Sequence, residues 1–230
     1  MPEAGAPGKF SALNFFRALP GRLQSSPSAM QEVVQYLRDL AQYARDVWEA
    51  DWLPVSRPAL AGWSLFFAWF LWHAARGEPG GLFLDPANLV IHEAGHPLFS
   101  YLGDFMGAAG GTILQLLVPL LLAMAFHVRR QPIGFALFLF IVFENFLYVA
   151  KYMADARAMA LDYVAIGVGA TSGEEMDPMS HDWHNIFSHL GVLAHDTRIG
   201  AFTNFLGWVG MLGTTAWFLY RGARDWQQER

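Results

Sequence analysis

His92 and His96 are the residues whose types and spacing speak most directly of chemistry in this chain. They bracket the run His92-Glu93-Ala94-Gly95-His96, and on a helix a four-residue step brings two side chains onto one face. Two imidazoles placed that way can converge on one divalent ion, with Glu93 beside them in reach of a water on that ion. In such a centre the ion acidifies the water, Glu93 accepts its proton, and the oxygen attacks a carbonyl. Ala94 and Gly95 are small enough to let backbone or substrate approach. The chain has no cysteine, which excludes disulfides, thiolate ligands and a cysteine nucleophile, so any metal is held by His, Asp or Glu. Zinc is the expected ion.

A catalytic zinc takes three protein ligands and leaves a position open, so one more ligand is needed. Two regions compete to supply it. In the first, Glu144, Tyr148, Lys151, Asp155 and Asp162 fall along one face of an apolar helix, and Asp155 is the nearest analogue of a carboxylate arriving from a later helix. The bland alternative is that Glu144, Lys151 and Asp155 neutralise one another. The second region, Ser180 to Asp196, holds His181, His184, His189 and His195. Asp182 reads there as the N-cap of a helix starting at Trp183, leaving His181 at its mouth with a carboxylate to orient its ring. His181 is the expected third ligand, Asp155 the next and His184 behind it. A four-residue site of His92, His96, His181 and Asp155 is also open, while His189, His195, His73 and His127 read as polar or interfacial histidines.

The elements that must position these groups are apolar. Of the 230 residues 54% are hydrophobic, 15% aromatic and only 15% charged, with 19 Phe and 9 Trp, a balance suited to a lipid-solvated exterior. Pro58 to Ala75, Thr112 to Val128, Ile133 to Met153 and Ile199 to Tyr220 read as spans, the third open to continuing as helix through Tyr163. The HEAGH helix starts near Asp85-Pro86, runs toward Leu102 and precedes a Gly-rich stretch at 107–111 that reads as a tight turn and close helix contact rather than a phosphate loop. Before them, Met1 to Lys9 reads as disordered and Ser28 as the cap of an amphipathic helix from about Met30 to Trp52, a surface helix rather than a cleavable signal. The expected architecture is therefore all-α: an N-terminal segment over 1–56, and over 57–230 a polytopic membrane bundle of about four to six helices. Arg129 and Arg130, and again Arg221 and Arg224, mark the cytoplasmic side, and the topology closes if the HEAGH helix crosses only partway. A net charge of −5 with no basic run argues against nucleic acid as a partner.

An HExxH motif inside an apolar helix resembles the intramembrane zinc metalloproteases of the site-2 protease family, over Ile91 to Pro119. The resemblance implies His92 and His96 as zinc ligands and Glu93 as general base. That family's later Asn-Pro-Asp-Gly ligand motif is absent downstream, so the third ligand is left to the two regions above. HEAGH, Tyr152 to Arg157 (YMADAR) and His181 to Trp183 (HDW) together also resemble a set of bacterial membrane proteins, which implies no activity. The expected function is a zinc-dependent hydrolase of the cell membrane, a peptidase first, with the bilayer and a membrane protein, peptide or lipid as partners. A membrane amidase or lipid hydrolase with the same site is the alternative, and a non-enzymatic metal-binding membrane protein a further one. A histidine-rich oxygenase ranks last because its His-x-x-His-His boxes are missing.

Overall fold

The computed structural model describes residues 27–76, 85–161, 163–165, 169–171 and 181–228, and divides into two units at Ala50 and Asp51. In the first unit, helix α1 (Pro27–Glu49) starts at a proline, whose fixed φ suits a first helical turn. Val33, Tyr36, Leu40, Tyr43 and Val47 recur along one face. On its exposed side, Gln35 and Gln42 donate to Asp39 and Asp46 one turn on, at 2.7 Å each.

Among the described residues the second unit is helical except for one small hairpin. Its helices are α2 (Arg57–Ala75), α3 (Asp85–Phe99), α4 (Asp104–Val128), α5 (Pro132–Ala154), α6 (Asp182–His189) and α7 (Asp196–Gln228), with 3-10 turns at Ser100–Leu102 and Leu193–His195. Strands β1 (Tyr163–Ala165) and β2 (Gly169–Thr171) pair antiparallel, Tyr163 opposite Thr171. The residues 51–56, which a boundary at 56/57 leaves with the N-terminal segment, bond into this unit instead. Leu53 N donates to Arg130 O at 2.9 Å and Val55 N to Asp225 Oδ2 at 3.0 Å. Trp52 lies among His127, Phe135 and Trp217, under the Arg130 guanidinium.

Two helices, α4 and α5, are long and apolar enough to cross a membrane. They form an antiparallel pair through the tight turn at Arg129 and Arg130, where Arg130 adopts φ +53°. Helix α7 packs along α5 because glycines let the backbones meet: Gly200 lies against Ala150 O, and Gly207 against Phe143 O. Phe67 and Phe70 of α2 close this core on Phe140, Met211 and Phe218, all fully buried.

Two expectations fail for local reasons. Helix α5 does not run on through Tyr163. It stops at Ala154 because both oxygens of Asp155 turn back on the chain, accepting from Ala160 N at 2.9 Å and Leu161 N at 3.2 Å. The Gly-rich stretch 107–111 is not a turn either, but lies inside α4, and the chain reverses before it at Gly103, whose φ is +104°. The inner glycines serve contact: a Cβ on Gly110 would strike Gly95 O, and one on Gly95 would strike the Gly110 carbonyl, so α3 and α4 touch backbone to backbone.

Candidate metal centre

Helix α3 lies antiparallel on the first half of α4, and this contact sets the position of both HEAGH histidines. His92 is buried against Gly111, where an added Cβ would stand 2.6–2.8 Å from three imidazole atoms. Its Nδ1 lies 3.1 Å from Gln115 Oε1. One turn on, His96 Nδ1 lies 2.9 Å from Gly107 O, a backbone carbonyl that can only accept, so this nitrogen carries the ring hydrogen. The two rings are 5.0 Å apart, edge to face. With Nδ1 committed to α4 in each ring, Nε2 faces inward.

What both Nε2 atoms face is Asp182, the first residue of α6. Its Oδ2 is 3.0 Å from His92 Nε2 and 3.5 Å from His96 Nε2, and the three donor atoms lie within 4.8 Å of one another. In the tautomers with hydrogen on Nδ1, the two imidazoles bring two lone pairs to one carboxylate oxygen, an arrangement made favourable by a cation among them, whether a metal ion or a proton on His92 Nε2. Donors around a tetrahedral zinc, each about 2.0–2.1 Å from the ion, are themselves about 3.3 Å apart, which the two histidine to Asp182 distances match. The group His92, His96 and Asp182 can thus hold a metal ion through two nitrogens and one oxygen, leaving room for a further ligand.

Asp182 is placed by its neighbours. Tyr152 of α5 accepts from Asp182 N through its hydroxyl at 3.2 Å, and its ring stacks on His181 at 4.4 Å. His184 Nδ1 lies 2.8 Å from Ala156 O. Below, Ile186 and Phe187 pack on Val149, Met153 and Ala156, with Phe105 and Ala108 of α4 alongside. Helix α6 is therefore pinned over one end of the α4–α5 pair, the end away from the Arg129–Arg130 turn.

His181 and Asp155, the expected third ligand and its runner-up, form a separate pair beside this cluster. His181, not Asp182, is the N-cap: its Nδ1 accepts from His184 N at 3.2 Å. A neutral ring that accepts at Nδ1 carries its hydrogen on Nε2, and that nitrogen lies 3.7 Å from Asp155 Oδ2. Burial holds the His181 pKa down despite Asp155 and Asp182, which keeps the ring neutral. His184 and Asp155 are likewise committed to backbone partners. Glu93 is half-buried next to His92, close enough for its charge to act on that ring. Pro97 sits inside α3 and withdraws the helical donor from Glu93's own carbonyl. The sequence suggests Asp182 as a cap and as a carboxylate orienting His181, not as a ligand, and Gln115 and Asn145 are not singled out there. The signal was present in part: Gln115 and Asn145 are side-chain amides within the two most apolar helices.

Comparisons of the chain with protein-family models, with curated proteins and with solved structures find no match.

Proposed function

We propose that this protein is a zinc-dependent membrane hydrolase, first of all a peptidase, whose ion is held by His92, His96 and Asp182 and whose general base is Glu93. The observation that carries the reading is the meeting of the Nε2 atoms of His92 and His96 with an Asp182 carboxylate oxygen, His92 being one residue along the helix from Glu93. Two nitrogens and one oxygen suit zinc, and three ligands with an open position mark catalytic rather than structural zinc sites. Bound zinc would supply Lewis acidity, acidifying a water and polarising a carbonyl. Glu93 takes the proton as the water oxygen bonds to the carbonyl carbon, and returns it to the leaving nitrogen as the carbon–nitrogen bond breaks. An amidase acting on a lipid would use the same donors.

The membrane setting rests on the apolar exterior. Besides α4 and α5, helices α2 and α7 expose large apolar side chains, among them Leu65 and Trp72, Phe202, Phe205 and Val209. Their tryptophans, glycines and polar residues dilute a composition still compatible with crossing, which gives four spans. Helix α3 has 15 residues, about 22 Å against a hydrocarbon core of about 30 Å, and fits a partial crossing. With Arg129, Arg130, Arg221 and Arg224 cytoplasmic, the metal centre lies toward the opposite face.

The test is turnover by zinc-loaded, detergent-purified protein on membrane peptides and, in a parallel arm, on lipid amides. Glu93→Gln should retain its zinc and lose activity by 100-fold or more, on the order of a removed general base. A variant that keeps both zinc and its full rate would contradict Glu93 as the base, no turnover by zinc-loaded wild type in either arm would contradict the hydrolase, and turnover confined to the lipid arm would move the assignment to an amidase.

A further inference from the structure

We infer that Asn145, which touches none of the three donor residues, is a positioning residue that fixes the tautomer of His92 by way of Gln115. The inference rests on the proposed metal centre and concerns how that centre is kept ready. It begins at Pro119, within α4. Proline has no amide hydrogen, so the carbonyl of Gln115, four residues earlier, loses its helical donor. Asn145 Nδ2 of α5 donates to that carbonyl instead, at 3.4 Å.

A backbone carbonyl only accepts, so it fixes which way the Asn145 amide faces. Asn145 Oδ1 is then turned to Gln115 Nε2, from which it accepts at 2.9 Å. That bond fixes the second amide in turn, and the atom left facing His92 Nδ1 at 3.1 Å is Gln115 Oε1. Oxygen there requires the ring hydrogen on Nδ1 and the lone pair on Nε2, toward Asp182. Turning the Gln115 amide over would aim its NH2 at Nδ1 and favour the tautomer whose Nε2 bears a hydrogen, which cannot ligate a metal. Gln115 is 1% exposed and Asn145 0%, so exchange with bulk water does not relax the constraint. His96 needs no such relay, because its partner is a backbone carbonyl that cannot flip.

The experiment is a zinc-affinity cycle on the full-length, detergent-purified protein, by competition with a chromophoric chelator, with the absorption spectrum of the cobalt-loaded protein as a second readout. Asn145→Leu releases the Gln115 amide and should weaken zinc binding by about 10-fold, the lower end for loss of a residue supporting a ligand. Gln115→Glu offers His92 a carboxylate with no NH2 group to turn inward, and should bind zinc at least as tightly as wild type. The decisive variant is the double Asn145→Leu/Gln115→Glu, expected within about threefold of Gln115→Glu alone and with its cobalt spectrum restored. A double variant as weak as Asn145→Leu would overturn the inference, since a space-filling role is not rescued by changing the neighbour's hydrogen-bonding. Wild-type affinity in Asn145→Leu would overturn it as well. If the leucine variant does not fold, Asn145→Ala carries the same cycle with the same expectations. Wild type that takes up no zinc removes the metal centre itself, a failure distinct from that of the relay.

Discussion

The two histidine-bearing regions make opposite use of the same side chain. In α3, His92 and His96 spend Nδ1 on α4 and turn Nε2 lone pairs to one point. In the run that opens α6, His181 spends its Nδ1 lone pair on its own helix and turns Nε2 to Asp155, while His184 bonds to Ala156 O. The first region presents ligands and the second presents structure, and the ligand the second does supply is the carboxylate between those histidines. A histidine becomes a ligand through the partner of its other nitrogen, which is a property of the neighbouring helix rather than of the motif.

The largest way to break the contrast is to push His92 off its place without touching any ligand. Gly111→Ala puts a methyl where the imidazole lies, and zinc affinity should fall on the order of 100-fold while the apo protein stays folded. Isothermal titration against circular dichroism separates the two effects, and unchanged affinity would mean the ring is not held where described.

Next in size is the coupling between the regions. Asp182 of α6 meets His92 and His96 of α3 directly, and an ion among the three would tighten that contact, so zinc at 100 times its dissociation constant should add about 2.7 kcal/mol to stability. Hydrogen exchange should slow across 182–189 on loading. Equal exchange with zinc and with chelator would dissociate α6 from the centre.

A smaller effect belongs to His181 as a cap. His181→Ala should cost about 1 kcal/mol in unfolding free energy, and His181→Asn, a good cap, should recover most of it, with zinc content intact in both. Loss of zinc in both variants would move His181 into the ligand set.

The smallest lies at the elbow where the second region enters α7. Asp196 accepts from Arg157 Nη2 and Nε at 2.8 Å each, and the Arg157 hydrogen bonds hold its carboxyl below the usual range, against burial. A carboxyl depressed in the folded state stabilises it above the unfolded pKa and loses that contribution as pH falls through the folded value. The melting-temperature gap between wild type and Asp196→Asn should be constant from about pH 5 upward and shrink below about pH 4. A gap that persists unchanged to low pH would mean the ion pair is not its source.

What the sequence made legible follows this division. Helical periodicity sufficed to place His92 and His96 on one face, because an i to i+4 step is a local property. The apolar runs likewise marked both ends of α5 and the end of α4, but α4 starts at Asp104, well before the expected Thr112. The third donor was not legible, because whether His181 or Asp182 faces the centre depends on which of them caps α6. That was decided by a bond from an imidazole nitrogen to His184 N that no spacing announces. The glycines at 107–111 read as a tight turn together with a close helix contact, and only the contact is present, because composition does not distinguish the two. The end of α5 was hidden in the side chain of Asp155, which bonds to residues five and six positions ahead.

The most direct test of the central claim is the metal content of detergent-purified protein, by elemental analysis, for wild type, Asp182→Ala and His181→Ala after zinc loading and desalting. The proposed zinc centre predicts about one zinc per chain in wild type and in His181→Ala, and its loss in Asp182→Ala. Zinc kept in Asp182→Ala and lost in His181→Ala, or absent from wild type altogether, would contradict a centre built from His92, His96 and Asp182.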